Sequence, residues 1–145
     1  MKRIALLFAS LVLFAVMGST LAQDAKPYRE GAVREVSFIK IKPGQFNNYM
    51  RYLDGPYKAT MEAGKKAGLI TDYSIYQSRA RSPQDADLIL TVTYPNMAAL
   101  DRTDEADAIR AKVAGSLDAQ AKASMDRESM RELIGSQLIR ELVLK

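Results

Sequence analysis

From Asp87 to Tyr94 the chain alternates: Leu88, Leu90, Val92 and Tyr94 share one parity, Ile89, Thr91 and Thr93 the other. A period of two is that of a β-strand. Residues 33–42, with Val36, Phe38, Ile39 and Ile41, and residues 69–78, with Tyr73, Ile75 and Tyr76, have the same β-branched and aromatic character. Residues 137–145 alternate again, Leu138, Arg140, Leu142 and Leu144 against Ile139, Glu141 and Val143. Between the first two strands the period lengthens. Phe46, Tyr49, Met50, Leu53 and Tyr57 fall at helical spacing, with Met61 a turn later. They predict a helix over 45–67, kinked or broken at Gly55-Pro56. On its outer face Glu62 and Lys66 are spaced to pair. Pro43-Gly44 stops the first strand, and Gly68 suits the helix C-terminal cap. A polar loop over 79–86 joins strands two and three as a long hairpin. Asn96 is placed to cap a short turn over 97–100. Ala106, Ile109, Val113, Leu117 and Ala121 then line one face of a second helix, running to about Met125. Gly115 inside it costs up to about 1 kcal/mol. Residues 127–133 are ambiguous, and Gly135 reads as a break.

The order is β-α-β-β-α-β, the split βαβ arrangement. It predicts an α+β, ferredoxin-like fold: a four-stranded antiparallel sheet with the helices on one face. A sheet with one face in water alternates strictly. Here strand one carries Val36 and Phe38 on one parity and Ile39 and Ile41 on the other. Burial on both faces predicts a homodimer, a second copy covering the open face.

The first residues change the address. Met1, Lys2 and Arg3 precede an apolar run from Ile4 to Met17, then Gly18, Ser19, Thr20, Leu21 and Ala22. Charge, apolar run and small residues in that order predict a secretory signal over 1–22, cut before Gln23. The run is shorter than the roughly 20 residues a membrane-spanning helix needs. The sequence therefore divides into a signal peptide (1–22), a flexible lead-in (23–32) and one domain (33–145), periplasmic or secreted and off the membrane once cut. Lys2 and Arg3 supply half of the formal net charge of +4. So small a remaining charge gives no case for nucleic acid. The chain has no cysteine. Without disulfides, a domain of about 120 residues relies on packing or oligomerisation.

The run Ile39-Lys40-Ile41-Lys42-Pro43-Gly44-Gln45-Phe46 resembles the strand-to-helix turn of the dimeric α+β barrel superfamily, which includes antibiotic-biosynthesis monooxygenase-like, NIPSNAP-like and EthD-like domains. Leu90-Thr91-Val92-Thr93-Tyr94-Pro95-Asn96-Met97-Ala98-Ala99-Leu100 resembles its third strand and the turn into its second helix. The element order agrees over 33–145. The resemblance implies a homodimer whose two sheets close a barrel, and a small pocket between sheet and helices. It implies no single activity, because these motifs mark the fold and fold does not set function.

The residue inventory narrows the chemistry. There is no histidine, which removes the usual haem, zinc and non-haem iron ligands and the Ser-His and Cys-His nucleophile pairs. There is no tryptophan and no phosphate-binding, dinucleotide or EF-hand pattern. No cofactor or metal is expected. Asp101, Asp104 and Asp107 recur every third residue, as suits a helix start. Lys65-Lys66 and Arg79/Arg81 read as solvated charges. Tyrosine is the suggestive class: Tyr49, Tyr57, Tyr73, Tyr76 and Tyr94 fall on elements that would wall a pocket, and a buried tyrosine pairs an apolar ring with a hydroxyl that seeks a partner. They serve packing, or line an aromatic site for a flat, weakly polar molecule. Arg140, inside the apolar register of strand four, needs a partner such as Glu62, a role, or an exposed edge to guard. Tyr57, Tyr76, Tyr94 and Arg140 are the candidate ligand-binding residues. The expected function is non-catalytic binding of a small apolar or aromatic ligand or a partner protein. The alternatives are a cofactor-free monooxygenase- or isomerase-like enzyme and a structural envelope protein.

Overall fold

A computed structural model describes residues 26–79 and 81–145. The leader expected over 1–22, and residues 23–25 of the lead-in, lie outside the described residues. Four strands, β1 (Tyr28–Ile41), β2 (Asp72–Gln77), β3 (Leu88–Tyr94) and β4 (Arg131–Leu144), form one antiparallel sheet in the order β2-β3-β1-β4. This is the split βαβ arrangement expected from the sequence. β1 begins five residues earlier than expected, so residues 28–32 of the lead-in are strand; Tyr28, Arg29 and Glu30 pair with the end of β4, and the register shifts between Glu30 and Val33. No helix among the described residues is long and apolar enough to cross a membrane.

The helical layer covers one sheet face. Its first part, α1 (Phe46–Tyr52), a π turn (Leu53–Tyr57) and α2 (Lys58–Lys66), runs without a break. Pro56 lacks an N–H and disrupts the α pattern. The chain absorbs this by widening one turn, and the Lys58 N–H reaches the Leu53 carbonyl five residues back. Tyr49 and Leu53, each 1% exposed, meet Ile39, Leu88 and Leu90 from the sheet in the main core. Gly68 ends the helix at φ +67°, as expected. The expected Glu62–Lys66 pair is not formed. Glu62 accepts the Tyr73 hydroxyl at 2.7 Å, and Lys65 pairs with Asp72 at 3.7 Å.

Asn96 caps a 3-10 turn (Met97–Asp101) by accepting the Ala99 N–H at 3.1 Å, as expected. The second helix differs from its expected form. It is two helices, α3 (Thr103–Ala114) and α4 (Leu117–Met130). Gly115 stands between them at φ 82° and ψ −146°, and Ser116 caps α4 through the Ala119 N–H. Leu117, expected on the buried stripe, is 82% exposed. Neither α3 nor α4 has a buried residue. α4 then passes straight into β4, and Gly135 breaks nothing. It lies opposite Phe38, whose Cδ2 would sit 3.7 Å from any Cβ there, and the ladder bulges beside it.

Candidate functional site

Between the sheet and the helical layer, whose α3 and α4 carry no fully buried residue, lies a cavity of about 710 Å³. Its floor follows from strand parity. Glu35, Ser37 and Ile39 of β1 share the helix-facing side with Leu90, Val92 and Tyr94 of β3. Its walls include Tyr49 and Tyr52 from α1, Tyr57 from the π turn, Ile109 from α3 and Arg127 from α4. Arg131 and Leu133 close it at the start of β4.

Two polar stations face this apolar space. At one, the Tyr94 hydroxyl donates to the Glu35 carboxylate at 3.1 Å. Burial pushes the Tyr94 phenol up to about 12, reinforced by the Glu35 charge and the hydrogen bond to it. At the other, Tyr49 and Tyr52 stack with ring centroids 5.7 Å apart. The Arg131 guanidinium lies 5.8 Å from the Tyr49 centroid and that of Arg127 lies 5.9 Å from the Tyr52 centroid. Arg127 also donates to the Tyr52 hydroxyl at 3.1 Å and to Ser124 at 3.0 Å. Since Arg131 pairs with Ile41 across the ladder, the stations sit six β1 positions apart, roughly 20 Å by strand rise.

Three polar atoms here are buried without a hydrogen-bond partner: the Tyr57 hydroxyl, Arg127 Nε and Arg131 Nε. Burial raises the Tyr57 phenol far above its ordinary range, so the group is neutral and remains a donor. No cluster of acidic residues fit to hold a metal ion occurs among the described residues.

The structure brings Tyr57 and Tyr94 to the cavity and sets Tyr76 and Arg140 apart. Tyr76, 54% exposed, pairs with Ile89 on the opposite sheet face. Arg140 is exposed and holds Glu30 at 2.6 Å, not Glu62, because the longer β1 carries Glu30 alongside β4. Tyr49 lines the cavity as expected, while Tyr73 turns its hydroxyl out to Glu62. Sequence reasoning missed Tyr52, Glu35, Arg127 and Arg131. The two arginines stand four apart in the stretch left ambiguous. Their four-residue spacing was the available signal, masked by Glu128, which stands three residues before Arg131 as an apparent partner.

Comparison with known proteins supports the fold. No family profile and no curated protein matches the chain. Among solved structures it resembles HapK from Hahella chejuensis, at 12% identity and a TM-score of 0.50, over 75% of this chain and 91% of that one. It also resembles a dimeric ferredoxin-like protein from an uncultured marine organism, at 9% identity and a TM-score of 0.52, over 81% of this chain and 98% of that one. At such identities the likeness concerns the fold alone, and with the sheet order it places this chain among ferredoxin-like α+β proteins.

Proposed function

We propose that this protein binds a small aromatic or apolar molecule between its sheet and its helical layer, as an exported homodimer related to the dimeric α+β barrels. The cavity carries the reading. Its volume of about 710 Å³ falls within the range of ligand pockets, and four tyrosines contribute to its wall. A packed core leaves few voids larger than a water molecule. Here two helices of 12 and 14 residues carry no fully buried residue, and of their side chains Met130 alone packs, partly buried, on the main core. An occupant would supply the missing contacts. The dimer is supported by the dimeric neighbour and by the apolar residues on the open sheet face. Export rests on the leader pattern of residues 1–22.

The test is binding of a neutral flat probe, 2-naphthamide, followed by thermal unfolding. At one hundred times its Kd the probe should add about 2.7 kcal/mol of stability. Ala106 lines the cavity from α3. Ala106→Trp, which places a ring in that space, should remove the effect while the protein still melts cooperatively. No stabilisation of the unaltered protein by such probes would refute the reading.

A further inference from the structure

The cavity's guanidiniums are unequally served. Arg102 lines it but is held by Glu105 at 2.6 Å, and Arg110 lines it but is held by Asp107. Arg127 and Arg131 pair with no carboxylate among the described residues. Arg127 has two hydroxyls as partners, while the Arg131 side chain makes no hydrogen bond among the described residues. The carboxylate lining the cavity, Glu35, is engaged with Tyr94 at the other station. A half-buried guanidinium without an anion is an unfavourable arrangement that folding alone does not require. Both cations rest against the stacked Tyr49–Tyr52 pair, of which Tyr49 is buried in the core and Tyr52, partly exposed, can meet a flat apolar molecule beside them.

We infer that the ligand is a planar molecule carrying a carboxylate, whose charge is met by Arg131 and Arg127 and whose apolar part lies among the tyrosines. The inference rests on the cavity being the binding site. Guanidinium matches carboxylate through paired N–H donors, and the partial burial of both arginines strengthens that match. The neutral Tyr57 hydroxyl, a buried donor without a partner, favours an acceptor as well. A cationic ligand finds Glu35 already engaged and two unpaired cations in its way.

The experiment compares 2-naphthoate with 2-naphthamide, equal in shape and different in charge, by calorimetry on protein expressed from the full chain. Naphthoate should bind at least about tenfold tighter, a difference of 1.4 kcal/mol. Raising the salt should weaken naphthoate and leave the amide unchanged. Arg131→Gln should bring the naphthoate affinity down to that of the amide, and Arg131→Lys should keep part of the preference. Since Arg131→Gln also removes a buried unpartnered Nε, it should melt no lower than the unaltered protein. Should it fail to fold, the Arg131→Lys affinity and the salt dependence decide. Equal affinity for acid and amide would overturn the carboxylate inference and leave the cavity reading standing. A preference that survives Arg131→Gln together with Arg127→Gln would overturn it too. Binding of neither probe would sink both.

Discussion

Tyr94 ends β3 with its ring over the cavity floor and its hydroxyl on Glu35. Its phenol, raised to about 12, ionises later than in the unfolded chain, where it has its ordinary value of 10.0. The sign follows. Below pH 10 both states hold the proton and Tyr94 adds no pH dependence. Between about 10 and 12 the unfolded state releases a proton that the folded state retains, so stability falls as pH rises. Tyr57 shifts in the same direction through burial and extends the decline to higher pH. Melting temperatures recorded from pH 9 to 12 should therefore drop above pH 10. Tyr94→Phe, which cannot ionise, should show a shallower drop. An identical slope in the variant would mean that Tyr94 is solvated rather than held in the wall. Arg110 opposes the shift only weakly, being the least of the influences on Tyr94.

Between elements, Gly115 decides the shape of the helical layer. Its φ of 82° with ψ of −146° approaches a region nearly reserved for glycine, where other residues pay about 1–3 kcal/mol. Gly115→Ala should lower the stability measured by urea unfolding by that amount, although a methyl group there would meet nothing closer than the Ala119 Cβ at 3.7 Å. An unchanged midpoint would show that the junction relaxes freely into one longer helix. The apolar stripe Ala106, Ile109, Val113, Leu117, Ala121 suggests such a helix, and this is where the sequence misleads. Periodicity continues through Gly115, and only the backbone angle separates a weak helix interior from a stop. β3 was legible because its alternation is long and bounded by turn residues. The start of β4 was not, because Arg131 both ends α4 and opens the strand, with no glycine or proline to mark the change of period. The cationic station of the cavity falls on that unmarked junction. Tyr57 was found because it continues the spacing of Tyr49 and Leu53. Tyr76 was misplaced because β2 carries tyrosines on both parities, and only its pairing with Ile89 fixes which one faces out.

At the scale of the whole molecule, the face of the sheet turned from the helices has to be accounted for. Val36, Phe38 and Ile89 lie on it half-buried, and Ile139 is 44% exposed. The β1–β4 ribbon also extends beyond the helices, leaving Leu138 at 50% and Leu142 at 55% exposure on its other side. Burying these on a second copy fits an isologous interface, which in stable complexes covers about 1,200–2,000 Å² in total. The protein should then sediment as a single species of twice the chain mass at micromolar concentration. Ile139 offers a selective probe. Its ladder partner is Arg34, exposed and on the same face. Ile139→Glu would place a carboxylate opposite that guanidinium, a tolerable pair in a monomer, where exposed cross-strand charges contribute up to about 1 kcal/mol. Within a dimer interface the same carboxylate would be desolvated at a cost of several kcal/mol. The variant should keep its fold by circular dichroism and sediment as a monomer. A protein that is monomeric without any substitution would refute the homodimer and remove the main support for likeness to the dimeric barrels. It would leave the cavity, lined by one chain's own sheet and helices, as the feature to be explained.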